Sequence, residues 1–473
     1  MERSSPPPDQ MPQQAGKVAT TDSQRTHLRE LTDRYTARTR TSKRLTQRHR
    51  KVLADFRAAT GFRSCTKEML YPIAARRARG SRLEDVDGNR YVDITMGLGA
   101  LLFGHEPDFV SDAIKAHLSE GLRLGPRVVE TGEVAELLSA LTGMERVAFA
   151  TSGTEVNSNA IRLARAATGR DKVVMFKGSY HGHADNISGR SVASSVERRT
   201  VPLNAGIPTS AVADLFVLDY GDPASLGVIE EFAAEIAVVV VEPVQSRNPS
   251  LRPAEFVRRL RDVTRDHNIV LMFDEMLTGL RFAPGGGQEF YGISADLATY
   301  GKVLGGGFPI GAVAGRADIL DGVDGGFWQY GDDSEPLTDT TTYAGTYIQH
   351  PVSMVAAKAV LTHLTEHGPE LQRRLNARTD ELADELNRFF ETEDFPLRMR
   401  NFGSMFRFEH HADMDLLCRH LILRGVHTWE RNVFLSTAHS DDDIEFIADA
   451  VRDSLFELRD AGFFLSDHAR PHN

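Results

Sequence analysis

From Arg146 onward the sequence alternates short apolar runs with longer amphipathic segments, and few folds accommodate that order. The runs are residues 147–150, 173–176, 215–218, 236–241, 269–273 and 297–299. Runs of this length read as buried strands, while the segments between them, such as 155–167 and 253–267, are long enough for helices. Strands joined by helical crossovers lie parallel, so the pattern predicts an α/β fold with a mainly parallel central sheet and helices on both faces. With 473 residues, the chain has room for a second, smaller unit.

The remaining segments suggest how the chain is divided. Residues 1–25 are rich in Pro, Gln, Ser and Thr, bury too little apolar surface to offset ordering entropy, and are expected to form a disordered tail. Residues 26–95 are expected to hold a basic helix and a hairpin. The helix carries Leu28, Leu31, Tyr35, Leu45 and Val52 as a sparse apolar stripe; its positive face reads as solvated, or as a dock for an acidic partner. The hairpin follows from alternation across residues 80–93 around Asp87-Gly88-Asn89. A large domain is expected over 96–350, ending in a Gly-, Asp- and Thr-rich loop at 321–345, and an α+β small domain over 351–473, with a strand at 404–408 and a closing helix at 442–458.

Composition narrows the partners. A net charge of -11 argues against nucleic acid as the main partner. Two cysteines, Cys65 and Cys418, give no disulfide framework, and no apolar run of 18 residues offers a membrane span, so a cytoplasmic location is expected.

The candidate chemistry begins at the end of the run 269–273, where Asp274 and Glu275 emerge at the C-terminal edge of a strand, the edge at which open α/β sheets bind ligands. A buried carboxylate needs a cation or hydrogen-bond donors. The next run delivers Lys302, followed by Gly305-Gly306-Gly307, whose missing side chains let backbone and a flat ligand approach. A lysine in such a turn can be a plain surface residue, and Asp274 can be a cap or a structural ion pair; together they suggest an amine nucleophile with an acid partner. Ala150-Thr151-Ser152-Gly153-Thr154-Glu155 lies between a strand and a helix, where Ser and Thr hydroxyls beside helix N–H groups make a phosphate cup or an ordinary cap. Gly178-Ser179-Tyr180-His181-Gly182-His183 supplies an aromatic that can stack on a planar ligand. His181 and His183 lack further ligands at metal-binding spacing, so no metal is expected.

Lysine, acid, phosphate cup and aromatic platform together describe a pyridoxal 5′-phosphate site. The motifs Thr151-Ser152-Gly153-Thr154-Glu155, Tyr180-His181-Gly182, Asp274-Glu275-Met276-Leu277-Thr278-Gly279-Leu280-Arg281 and Gly301-Lys302-Val303-Leu304-Gly305-Gly306-Gly307-Phe308-Pro309-Ile310-Gly311 resemble the signature of class III aminotransferases over about residues 65–460. The resemblance implies the fold type I architecture, with the small domain formed by N- and C-terminal segments, and a homodimer with active sites at the subunit interface. It implies that Lys302 binds the cofactor's aldehyde and that Asp274 pairs with the pyridine nitrogen. Ser152, Gly153 and Thr154 would hold the phosphate, and Tyr180 would stack on the ring beside His181. Gly345-Thr346 resembles the segment that reaches the neighbouring subunit's phosphate. Leu277 stands where the family often has Gln, which puts a contact to the phenolic oxygen in doubt.

Residues 435–439 are similar to the glutamate-1-semialdehyde aminomutase branch. Lys67-Glu68-Met69-Leu70-Tyr71-Pro72-Ile73, Glu242-Pro243-Val244-Gln245-Ser246-Arg247 and Thr428-Trp429-Glu430 resemble aminotransferase domains of hybrid polyketide and non-ribosomal peptide synthetases, and Glu242 is counted among the cofactor-binding residues. The function implied is ping-pong transfer of an amino group from an amino-acid donor to a ketone or aldehyde, through pyridoxamine 5′-phosphate, in natural product biosynthesis and on a free substrate or one held by an acyl carrier protein. An aminomutase is the alternative, and a non-catalytic interaction protein on the same fold is a third reading. Trp429, Glu430 and Arg247 are the candidate substrate residues, with Arg63, Arg281 and Arg431 as further candidates for a substrate carboxylate.

Overall fold

A computed structural model describes residues 21–60, 62–193, 198–409, 414–429 and 432–463. Its large sheet has seven strands, labelled in chain order β1 (Arg146–Ala150), β2 (Lys172–Phe176), β3 (Leu215–Leu218), β4 (Ile236–Val241), β5 (Val270–Asp274), β6 (Leu297–Tyr300) and β7 (Gly311–Gly315). They hydrogen-bond in the order β1-β7-β6-β5-β4-β2-β3. Parallel neighbours are joined by crossovers rather than hairpins, and chain order is broken at two places, where β2 lies between β3 and β4 and β7 between β1 and β6. β2 to β6 form the parallel body of the sheet.

All six residues of β4 are buried, as expected of a central strand covered on both faces. The two faces divide by the strand's twofold period. Val238 and Val240 pack with Val156, Ala160, Ile161 and Leu163 of helix Gly153–Thr168. Val239 and Val241 pack with Phe256, Val257 and Leu260 of helix Ala254–Asp266. A parallel sheet with helices on both faces is therefore what the alternation of runs produces.

β7 was not foreseen. It runs antiparallel to both β6 and β1, and its sequence, Gly-Ala-Val-Ala-Gly, reads as a continuation of the glycine-rich turn. The glycines have a packing cause: a Cβ on Gly311 would stand 2.7 Å from the Ser152 carbonyl oxygen, and one on Gly315 would stand 2.4 Å from that of Asp296.

The small unit draws on both ends of the chain. Ala75–Arg79, Arg82–Asp85 and Arg90–Asp93 form an antiparallel sheet, and Val426–His427 adds to it parallel to Arg90–Asp93. The predicted hairpin pairs Leu83 with Tyr91, and Gly88 at its turn has φ +83°. A second antiparallel sheet joins Arg398–Phe402, Met405–Glu409 and Asn432–Phe434, and helix Asp441–Asp460 closes the unit behind a Ser440/Asp443 capping box.

Three expected boundaries differ. Helix Asp22–Arg38 begins at a Thr21/Gln24 capping box, so residues 22–25 are helical rather than part of a tail, and residues 1–20 lie outside the described residues. The basic segment forms two helices, Asp22–Arg38 and Arg40–His49. Leu28, Leu31 and Tyr35 are buried, but Val52 lies past the second helix, exposed. Helix Pro351–His367, expected to open the small domain, instead packs against helices Asp108–Ser119 and Glu130–Thr142 and against the turn Lys302–Gly305 of the large domain. After the short turn Asp321–Val323 no helix or strand is formed until Pro351.

Candidate active site

The register of β5 against β6 pairs Asp274 with Thr299, so the chain leaving β6 passes through Gly301 and Lys302 beside the Asp274 carboxylate. The loops after β1 and β2 close on the same point. A Cβ on Gly182 would fall 2.5 Å from Thr154 Oγ1, and one on Gly153 would fall 2.9 Å from Met276 Sδ. Segments 151–154, 180–183, 274–281 and 301–302 therefore meet at the C-terminal ends of β1, β2, β5 and β6, the edge at which ligands bind in such sheets.

Asp274 is buried and fully supplied with donors. Its Oδ2 accepts from His181 Nδ1 at 2.8 Å and from Asn157 Nδ2 at 2.8 Å, and its Oδ1 accepts from the Met276 N–H at 3.1 Å. Burial alone would push this carboxyl's pKa up. The His181 contact, the Met276 N–H and the charge of Lys302 outweigh it and hold the group below the usual carboxylate range. The neighbouring Glu275 goes the other way. It accepts from the Thr278 hydroxyl and from the N–H groups of Gly287 (3.0 Å) and Gln288 (3.1 Å), yet burial pushes it up to about 7.

Lys302 sits at φ +39°, a left-handed conformation uncommon for a residue with a side chain. Burial pulls its amine below the ordinary lysine range. The carboxylates of Asp274 and Glu242 offset this in part, and the charge of Arg281 adds to it. Among the described residues no acid comes within ion-pair distance of its Nζ.

The other predicted residues divide into those the fold brings to this point and those it does not. Ser152 caps helix Gly153–Thr168 by accepting from the Glu155 N–H at 3.3 Å. Thr154 Oγ1 lies 3.1 Å from His183 Nδ1. Tyr180 is half exposed, and the Arg247 guanidinium lies over its ring, 5.8 Å from the centroid. Glu242, at the end of β4, uses its carboxylate on the N–H groups of Ser246 (2.8 Å) and Tyr180 (3.3 Å), so it braces the aromatic loop. Leu277 is buried, in an apolar cluster with Phe434 and Met96. Gly345 and Thr346 are exposed, and Gly345 lies near the start of helix Gly153–Thr168, beside Glu155. Trp429 lies over the guanidinium of Arg419, which also stacks on Tyr35, placing it against the N-terminal helix. Glu430 and Arg431 lie outside the described residues.

Sequence reasoning missed Asn157. Its amide bridges Asp274, the His181 carbonyl oxygen (3.0 Å) and Thr299 Oγ1 (2.7 Å), tying the helix, the aromatic loop and β6 together. The available signal was an amide one turn into a helix whose inner face is otherwise Val156, Ala160 and Ile161.

The chain matches the family model described as Aminotransferase class-III over residues 64–433. It is 33% identical over 411 residues to a glutamate-1-semialdehyde 2,1-aminomutase 2 of Anoxybacillus flavithermus, covering 82% of this chain and 91% of that protein. Among solved structures it resembles an omega-transaminase from Sphaerobacter thermophilus, with TM-score 0.78 and 28% identity over 88% of this chain and 98% of the other. A transaminase solved with pyridoxal phosphate bound gives TM-score 0.78 and 27% identity over 89% and 99%. The architecture is thus that of the fold type I pyridoxal-phosphate transferases. Because the family match runs unbroken through every loop that meets at Lys302, the chain belongs to the class III aminotransferases.

Proposed function

We propose that this enzyme carries out ping-pong transamination, moving an amino group from an amino-acid donor to a ketone or aldehyde acceptor, with Lys302 as its catalytic residue. The observation that carries the reading is a buried lysine amine, without an ion-pair partner among the described residues, beside a carboxylate that accepts from His181 and Asn157. Class III aminotransferases use pyridoxal 5′-phosphate, which supplies an aldehyde for amine exchange and an electron sink for the substrate carbanion.

The residues present fit that group. The first N–H groups of helix Gly153–Thr168 have no intrahelical partner, and with the hydroxyls of Ser152 and Thr154 they would hold the phosphate. Asp274, acceptor-only when ionised, would pair with a protonated ring nitrogen, and the half-exposed face of Tyr180 would take the ring. His181 and Glu242 would serve by fixing Asp274 and the Tyr180 loop. Lys302 Nζ, whose burial disfavours the charged form, would accept the proton from the substrate Cα. Arg247, lying over Tyr180, would meet a substrate carboxylate at the mouth, and Trp429 and Glu430 would bear on acceptor choice from the small unit.

We place the active enzyme in the cytoplasm as a homodimer whose Gly345 and Thr346 serve the neighbouring subunit's phosphate. In support, Phe327, Tyr330 and Leu337 of the preceding loop and Tyr347 directly after Thr346 are all exposed in the single chain, and no described helix is long and apolar enough to cross a membrane. The acceptor we assign to natural product biosynthesis, either free or borne by an acyl carrier protein. Turnover of the free acid equal to or better than that of its carrier-bound form would remove the carrier.

A second reading, an aminomutase of the glutamate-1-semialdehyde type, is favoured by the 33% identity to a protein of that name. Incubation with an amino donor and either pyruvate or 2-oxoglutarate separates them. Co-product that depends on the second substrate is expected; isomerised product without it would establish the mutase.

A further inference from the structure

Asn157 is 1% exposed, and each of its hydrogen bonds bears on Asp274 or on the segments around it. Nδ2 donates to Asp274 Oδ2 at 2.8 Å and to the His181 carbonyl oxygen at 3.0 Å, while Oδ1 accepts from the Thr299 hydroxyl at 2.7 Å. Two acceptors on one side fix which way the amide lies, because turned over it would set its oxygen against a carboxylate and a carbonyl. Thr299 is the residue opposite Asp274 in the register of β5 against β6, so strand pairing supplies the hydroxyl that holds the amide. Hydrogen bonds can then be counted on the carboxylate, whose two oxygens offer about four acceptor positions. Oδ2 has two donors, His181 Nδ1 and Asn157 Nδ2, each at 2.8 Å; Oδ1 has one among the described residues, the Met276 N–H at 3.1 Å. Packing alone would be met by an apolar side chain like the neighbouring Val156 and Ala160, and an aspartate of the same shape would set a second negative charge against Asp274. An amide donates here without adding charge.

We propose that Asn157 is a positioning residue for the acid that pairs with the cofactor: latched by Thr299, its amide completes Asp274 Oδ2 and leaves Oδ1 to take the protonated ring nitrogen. The inference rests on the reading in which Asp274 pairs with pyridoxal 5′-phosphate. With Oδ2 held by two donors, the carboxylate cannot turn about its Cβ–Cγ bond without breaking both contacts, so the direction of its remaining acceptor is set before the cofactor arrives. The second amide proton, on the His181 carbonyl oxygen, ties the same side chain to the loop whose Tyr180 would take the ring face. Acid and aromatic platform are thereby held at one spacing through a single amide.

The test uses the full-length chain, freed of cofactor and reloaded with pyridoxal 5′-phosphate isotope-labelled at the ring nitrogen. Affinity is read by equilibrium dialysis, ring protonation by the nuclear magnetic resonance of that nitrogen, and unfolding of the cofactor-free chain by calorimetry. Asn157→Leu removes the donors and the acceptor at similar volume; it is expected to weaken binding about tenfold and to move the ring-nitrogen resonance away from the pyridinium position. Thr299→Val leaves the amide without its latch and should do the same to a smaller degree, about threefold in affinity, whereas Thr299→Ser restores both readings. A side chain that served packing alone would lower the unfolding temperature and leave the resonance in place, and an unmoved resonance in Asn157→Leu overturns the proposal. Should Asn157→Leu not fold, Thr299→Val against Thr299→Ser decides, and equal resonances in the two overturn it. Asp274→Asn is the control for the underlying reading: if its resonance matches that of the unsubstituted chain, Asp274 does not pair with the ring and the site reading itself fails, whatever Asn157 does.

Discussion

Two buried aspartates in this chain are built from similar parts and end in different chemistry. Asp93, in the small unit, accepts from His105 Nε2 and His427 Nδ1, each at 2.8 Å, and from the Thr95 N–H at 2.9 Å. Asp274, in the large domain, accepts from His181 Nδ1 at 2.8 Å, from Asn157 and from the Met276 N–H. Burial pushes both carboxyls up, and in both the donors win and hold the group below its usual range. The difference lies in what stands next to them. Asp93 has two histidines that it fully engages, one from an N-terminal segment and one from the short strand Val426–His427, and it joins the two ends of the chain. Beside Asp274 stands Lys302, close enough to be felt and without an ion-pair partner among the described residues. A histidine–carboxylate contact is therefore no mark of catalysis by itself; in the proposed function it is the amine beside Asp274 that marks the reacting site.

Substitutions at the two sites should separate activity from stability. The largest effect is expected from Lys302→Ala, which should cost on the order of 10⁴-fold or more in turnover while thermal unfolding stays near that of the unsubstituted enzyme. Residual turnover within tenfold would undo the contrast. Asp274→Asn should follow, with a fall on the order of 10²-fold in kcat/KM and weaker cofactor retention on dialysis, since the amide can no longer stabilise a protonated ring nitrogen. Asp93→Asn should do the reverse. It should cost about 3 kcal/mol in denaturant unfolding, because it breaks a buried charge-assisted pair, while folded enzyme keeps its kcat. A kcat loss that exceeds the loss of folded protein would move Asp93 into the chemistry.

The smallest effect concerns a third cluster. His27 Nε2 lies 3.1 Å from His420 Nε2, with the rings stacked, where helix Asp22–Arg38 meets helices Met414–Leu423 and Asp441–Asp460. Burial lowers the pKa of both; at His27 the charges of His420 and Arg34 add to this and Glu457 and Glu30 oppose it, while at His420 Glu457 opposes it and Arg424 and Arg34 add to it. Their folded pKa values lie below the unfolded value of about 6.5. The unfolded chain therefore takes up protons first as pH falls, and stability is lost from about pH 6.5 downward. Urea midpoints measured over that range should fall less steeply in His27→Gln, and an identical slope would exclude the pair.

What the sequence made legible follows from distance along the chain. The parallel strands, Asp274, Lys302, the cup at 151–154 and the Tyr180 loop each announce themselves within a few residues, because buried strands must be apolar and a polar group closing one stands out. β7 was hidden because its glycines serve close backbone approach and resemble a turn. Asn157 was hidden because its partners lie 24, 117 and 142 residues away. The Asp93 cluster reaches across 334 residues to a strand of two residues, too short to carry a period. Arg281 could be seen as an arginine beside the site. Its acceptors, at Ser404, Leu435 and Gly99, lie 123, 154 and 182 residues away and could not.

The central claim is that Lys302 is the amine on which the enzyme's chemistry turns. Borohydride reduction of the cofactor-loaded enzyme, followed by protease digestion and peptide mass spectrometry, tests it most directly. A reduced cofactor adduct on Lys302, absent from Lys302→Ala, is the predicted result. An adduct on another lysine, or none at all in an enzyme that turns over, would contradict it.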